Sequence, residues 1–279
     1  MMIERYYGIS PDIVQQLIAA TKNKVNDRSG DNRFKSTKVF LFDEYAVLSM
    51  QNMDVRNVEV KDVDYKHLGR LCETLLDLHT QGVHVLPIRA FQSENGSGYM
   101  VQQRAKGAEL YERDKLLDKH YILGHVALLS NAPQAYYDKF VADAIAIMEK
   151  GVLIDFVGKD NFFYHEEIGF QFIDLYAHND YVYGLTDIKP NIKQLAARNC
   201  FIPCYFDAVP THRDTVSNVL SELTECEWKL LKQQNATIFT KCKTALIKNG
   251  VAEKMIDKII SDDGFIPQKH QLGLDRNHS

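Results

Sequence analysis

A chain of 279 residues with 45% hydrophobic and 25% charged side chains carries enough apolar mass for one large domain or two lobes, which excludes a disordered chain. Its 33 basic and 37 acidic residues leave a formal charge of -4, so no general attraction for nucleic acid or an anionic membrane is expected. No stretch approaches the ~20 apolar residues of a membrane span, and MMIERYYGIS lacks the apolar run of a secretory signal, so a cytoplasmic location without membrane contact is expected.

A helix is predicted from about Asp12 to Val25, where Ile13, Val14, Leu17 and Ile18 recur at helical spacing after Pro11. The turn-rich stretch 26–32 follows, then two β runs, Thr37 to Phe42 and Tyr45 to Met50, separated by Asp43 and Glu44 as in a hairpin. Leu68, Leu71, Cys72, Leu75 and Leu76 form one stripe of a helix from Tyr65 to Thr80, with Gly82 as its cap. Strands Val83 to Phe91 and Tyr99 to Arg104 come next, joined by the turn-prone SENGSG at 93–98.

Beyond Gly107 helices predominate, and a long one is predicted from about Tyr136 to Lys150 with Phe140, Ala144, Ile147 and Met148 on one face. A β-rich unit interrupts them: VLID at 152–155, NFFYH at 161–165, the turn EEIG, and GFQFIDL at 169–175. Helices from about Thr215 to Gln233, Ala236 to Lys248 and Ala252 to Ser261 complete the chain, ahead of a polar tail. The change of character places a boundary between an N-terminal region, 1–105, and a C-terminal region, 106–279. Five cysteines are an odd number, and Cys200 and Cys204 lack a second Cys or His pair to complete a tetrahedral zinc site, so reduced structural thiols are expected.

The stretch that carries chemistry runs Asp155, a polar loop, Asn161, a hairpin and Asp174. Phosphoryl transfer needs a group that positions the acceptor hydroxyl and oxygen ligands that hold magnesium against nucleotide phosphates. An Asp and an Asn across a short loop, with a second Asp at a strand end, supply all three. This order resembles the protein-kinase-like superfamily, nearer its aminoglycoside and choline phosphotransferase branch than its protein-serine kinases. The resemblance spans about 36–176 and implies an α+β, two-lobed kinase-like fold, with a small sheet-plus-helix N-terminal lobe and a larger, mainly helical C-terminal lobe. It makes Asp155 the catalytic aspartate, Asn161 a magnesium ligand and Asp174 the principal magnesium ligand. The segment YMVQQRAKGAEL at 99–110 matches the hinge, so Gln102 lines the back of an adenine pocket and the backbones of Gln103 and Ala105 bond the base. The implied cofactors are ATP and Mg2+, and the implied partner is a small-molecule or protein acceptor.

Several residues depart from the family pattern. Asn161 follows Asp155 by six residues where the family has five, so the loop bulges or the pairing shifts to Asp160. Ser49 stands near the place of the phosphate-binding Lys, which leaves Lys38 on the preceding strand as the substitute cation. Glu73, the candidate partner of that Lys, falls opposite the apolar stripe of its helix and is expected to be exposed. His165 and His178 read as surface or structural histidines, and Asp155 and Asp174 have plain readings as turn or strand-end carboxylates. Three functions stay open: an ATP-dependent phosphotransferase, a pseudokinase that binds nucleotide or protein without transfer, and a non-enzymatic interaction domain.

Overall fold

The computed structural model describes residues 2–24, 37–50, 65–94, 97–110, 115, 118–154, 156, 161–173, 175–177, 192–204 and 219–261. The chain divides into two compact units, Met1–Ala105 and Lys106–Ser279. The architecture is α+β: an antiparallel sheet with helices in the first unit, and mainly helices in the second. Among the described residues no helix is long and apolar enough to cross a membrane.

The first unit holds β1 (Met2–Tyr6), α1 (Pro11–Thr21), β2 (Thr37–Leu41), β3 (Tyr45–Met50), α2 (Tyr65–Thr80), β4 (Ile88–Glu94) and β5 (Ser97–Gln103). Its five strands pair in the order β1-β4-β5-β3-β2, all antiparallel. One row crosses the whole sheet: Tyr6 opposite Ala90, Ala90 opposite Val101, Val101 opposite Val47, and Val47 opposite Phe40. Val14 and Ile18 of α1 pack on this row, because residues opposite one another in a ladder point to the same face. The other face carries Phe91, which stands 6.3 Å from the Tyr7 ring, and the Tyr7 hydroxyl lies against Gly69 of α2.

Ser10 caps α1 through its hydroxyl, which accepts from the Ile13 N–H at 3.3 Å, and Pro11 follows at the position where a missing N–H costs nothing. The helix ends at Thr21, short of the predicted Val25, which lies outside the described residues; Val14, Ile18 and Thr21 are its buried positions. The strand predicted over 83–91 starts instead at Ile88 and runs to Glu94, opposite Ser97, so the turn is tighter than the expected 93–98. A bulge at Arg89 separates Ile88 from Ala90 in this ladder. The strand β1 was not anticipated; Glu4 and Arg5 interrupt its apolar residues, and it exists because the edge of β4 pairs with it.

The second unit contains β6 (Ala108–Glu109), α3 (Lys119–Asn131), α4 (Gln134–Glu149), β7 (Val152–Ile154), β8 (Phe162–His165), β9 (Gly169–Phe172) and β10 (Leu175–Ala177). Beyond these come α5 (Ile192–Asn199), a 3-10 turn (Ile202–Cys204), α6 (Glu225–Lys248) and α7 (Glu253–Ser261). Both α3 and α4 pack on α6. Lys241 of α6 donates to the carbonyls of Ser130 and Ala132 at 2.7 and 2.6 Å, closing the C-terminal end of α3.

Two helices were predicted where α6 stands, with a gap at Gln234 and Asn235. The helix is continuous through both residues, and Asn235 is buried. Its true start is set by Thr224, whose hydroxyl accepts from the Glu227 N–H while the Glu227 carboxylate accepts from the Thr224 N–H at 2.8 Å, a capping box. Residues 215–218 lie outside the described residues.

Candidate functional site

The candidate site of the second unit is built on α4. Tyr137, Phe140, Val141, Ala144, Ile147 and Met148 are buried on this helix, at the 3.6-residue spacing the sequence displayed. Phe140 lies at the centre of an aromatic cluster, with ring centroids 5.8 Å from Phe162, 5.0 Å from Phe170 and 5.1 Å from Phe172. The inward residues of β8 and β9 are therefore pinned to α4, and the hairpin they form is held as one rigid piece.

Three residues, Glu166 to Ile168, connect β8 to β9, and Gly169 closes the turn at φ +85 where a side chain would strain the backbone. The carbonyl of Glu166 accepts from the Tyr136 hydroxyl at 2.8 Å, tying the tip of the hairpin to α4. Tyr164 lies beneath it; burial, and then Tyr136 and Glu166, push its phenol up to about 12, so it stays a neutral packing residue at physiological pH. His165 is partly buried and its Nδ1 accepts from the Glu167 N–H at 3.2 Å, a local turn contact consistent with a structural histidine.

At the other end of the hairpin, Asn161 is buried and its carbonyl accepts from the Ile173 N–H at 3.0 Å. Beside it β7 pairs with β10 in antiparallel register, Ile154 opposite Leu175 and Val152 opposite Ala177. Asp155 and Asp174 lie outside the described residues. Their chain neighbours do not: Ile154 precedes the first aspartate, Leu175 follows the second, and these two neighbours are a register pair. Ile173, which precedes Asp174, is bonded to the main chain of Asn161. The described backbone thus brings Asn161 and the chain neighbours of Asp155 and Asp174 to the ends of two short ladders. The amide of Asn161 and the carboxylate of Asp174, the two expected metal ligands, are hard oxygen donors of the kind that suits Mg2+. Among the described residues no cluster of three His, Cys, Asp or Glu side chains stands ready to hold a metal.

Gln102, Gln103 and Ala105, the residues expected to hold the base, belong to the first unit. Gln102 is partly buried and its Nε2 donates to the Leu86 carbonyl at 3.0 Å. The Gln103 N–H donates to the Pro87 carbonyl at 3.0 Å, and its side-chain oxygen accepts from Arg89 Nη2 at 2.8 Å. Ala105 is partly buried at the end of the unit.

Lys38 does not share a face with Gln102. It pairs with Ser49, two residues along from the Phe40 and Val47 pair that faces α1, so both Lys38 and Ser49 lie on the α1 face. Gln102 pairs with Ala46, and Met100 with Leu48, on the opposite face. A one-residue step in a strand reverses a side chain, so Lys38 and Gln102 lie on opposite faces of the sheet, and Leu48, not Ser49, occupies the Gln102 face of β3. Lys38 itself is exposed, as is Glu73.

Gln171 was missed. Its side chain is buried on β9, accepts from the Lys106 N–H at 3.2 Å and donates to the Lys106 carbonyl at 2.7 Å. The available signal was a lone amide inside the apolar run GFQFI, which has to find partners when buried.

Among the cysteines, Cys72, Cys200, Cys204 and Cys242 are buried, and Cys204 and Cys242 approach to 4.0 Å between sulfurs. Burial raises the thiols of Cys72, to about 12, and of Cys200 and Cys242, which suits unreactive packing residues.

No family model matches the chain, and no curated protein does. Solved structures do resemble it. One is the pseudokinase domain of BIR2, an immune regulator of the RLK/Pelle family, at 12% identity over 95% of this chain and 91% of that one, with a TM-score of 0.46. Another is the bifunctional kinase-methyltransferase WbdD, at 12% identity over 83% of this chain and 48% of that one, with a TM-score of 0.35; this chain spans about half the length of WbdD. Likenesses of this size say nothing of activity or ligand.

Proposed function

We propose that this chain is a kinase-like phosphotransferase that binds ATP with Mg2+ and passes the γ-phosphate to a hydroxyl of a small-molecule or protein acceptor. The observation that carries this reading is the pairing of Ile154 with Leu175 beside the Ile173 to Asn161 hydrogen bond, which ties together the chain segments bearing Asp155, Asn161 and Asp174. In this reading Asp155 orients the acceptor hydroxyl and takes its proton, while Asn161 and Asp174 hold the ion. The bound ion neutralises charge on the phosphate oxygens. The Gln103 N–H is already committed to Pro87, so base recognition falls to the Gln103 carbonyl and the Ala105 N–H.

The test is turnover of labelled ATP with Mg2+ by the wild type, Asp155→Ala and Asp174→Asn. Loss of a positioned base and of a metal ligand is expected to lower the rate at least about 100-fold. Equal background turnover in all three proteins sinks the enzyme reading.

A second reading, a pseudokinase that binds nucleotide without transfer, is favoured by the register of β2 and β3. On the Gln102 face these strands present Val39, Leu41, Ala46 and Leu48, none of them a cation for the phosphates. Thermal-shift titration separates the two: stabilisation by magnesium nucleotide without turnover selects the pseudokinase, because a ligand that binds only the folded state must raise its stability.

A further inference from the structure

We infer that Gln171 is a positioning residue that fixes the main chain of Lys106, the residue next to the proposed base-binding Ala105, to β9 of its own unit. This rests on the nucleotide-binding reading above.

Gln171 projects from the middle of β9, opposite Phe163 of β8, while the neighbouring Phe170 and Phe172 point to the aromatic cluster on the other face. Its amide makes two bonds to one residue, accepting from the Lys106 N–H and donating to the Lys106 carbonyl. A primary amide can bridge a single residue in this way because it sets a carbonyl acceptor beside its N–H donors, as the residue sets its N–H beside its C=O. At 5% exposure the side chain has no water to replace these partners, so the two bonds persist or the amide is left unsatisfied. The strand ends at Phe172, and the next residue, Ile173, is bonded to Asn161 and precedes Asp174.

Chain continuity adds the other half. Lys106 directly follows Ala105, whose N–H is assigned to the base. Immediately after Lys106, Gly107 at φ +85 runs so close to the Tyr164 carbonyl that an added Cβ would lie 2.1 Å from it, and β6 then pairs with β8. Lys106 is therefore held from the side by Gln171 and from behind by the Gly107 contact. Motion of the residue before it is restrained accordingly, and the main-chain donor is presented to the base with little ordering left to do on binding.

The experiment uses the full chain with Gln171→Met, which keeps length and removes both hydrogen bonds, and Gln171→Glu, which keeps an acceptor for the Lys106 N–H. Two measurements are made: hydrogen exchange of the peptide spanning 105–110, and affinity for Mg-ATP beside magnesium tripolyphosphate, which lacks the base. Gln171→Met is expected to speed exchange at 105–107 by about tenfold and to weaken Mg-ATP by about tenfold, with tripolyphosphate changed less than about twofold. Gln171→Glu is expected to fall between it and the wild type on both measures, and it carries the test if the Met variant does not fold. Unchanged exchange at 105–107 overturns the inference, and so does an equal loss of affinity for both ligands, which is what a purely structural role gives. A wild type that binds neither ligand is a different result: it removes the nucleotide reading and the base-directed role of Gln171 with it, while the exchange measurement still decides whether Gln171 holds Lys106.

Discussion

Replacing Gly107 by Ala sets a backbone requirement against a packing requirement in one substitution. The residue sits at φ +85, where a Cβ costs about 1 to 2 kcal/mol by itself. The added methyl would lie 2.1 Å from the Tyr164 carbonyl oxygen and 2.8 Å from its carbon, distances no side-chain rotation can relieve because both atoms are backbone. Relief requires β6 to lift from β8. That loosens the pairing of Ala108 with Tyr164 and the Leu110 N–H bond to the Phe162 carbonyl at 2.7 Å. At about 1 kcal/mol for each hydrogen bond weakened, added to the backbone strain, the total comes to about 3 to 5 kcal/mol. Gly151 is the control in the same unit: its φ is +76 but nothing lies within 4 Å of an added Cβ, so Gly151→Ala is expected to cost only about 1 to 2 kcal/mol. Gly169→Ala falls between them, since its clash at 2.9 Å is with the Tyr136 ring, a side chain able to shift. Urea unfolding followed by the fluorescence of Trp228, the single tryptophan, reports on the second unit. A midpoint for Gly107→Ala no lower than that of Gly151→Ala refutes the close approach of Gly107 to Tyr164.

Two further outcomes follow from the C-terminal unit. Lys241→Met removes the donor to the Ser130 and Ala132 carbonyls and is expected to destabilise by about 1 to 3 kcal/mol in the same urea assay; a variant of unchanged midpoint would show that water serves those carbonyls equally well. Glu227 is held below the ordinary glutamate range by its hydrogen bonds to Thr224 and by Lys119, so it favours the folded state when ionised. The sign follows: its contribution is complete above the unfolded glutamate pKa and is lost as pH falls through the lowered folded value. The melting temperature of Glu227→Gln should therefore lie below that of the wild type at neutral pH and converge with it in acid, and a difference independent of pH contradicts the assignment.

What the sequence determined by itself was local. Periodicity placed α2 at Tyr65–Thr80, β3 at Tyr45–Met50 and the inward face of α4, because a helix or strand shows its buried side in residue spacing wherever one face meets a core. Turn chemistry located the β8–β9 hairpin around EEIG. The capping box Thr224 to Glu227 was equally readable and would have corrected the start of α6, whereas the polar pair Gln234 and Asn235 imitated a break that packing against α3 and α4 overrides. Tertiary structure alone decided which residues share a face and which main-chain groups find partners. Strand β1 forms only because β4 offers an open edge, and Lys38 parts from Gln102 because the ladder register, set by long-range pairing, assigns each strand residue to one side of the sheet. The Gln171 bonds to Lys106 join residues 65 positions apart, a distance over which no local spacing rule operates and only a folded hairpin can act.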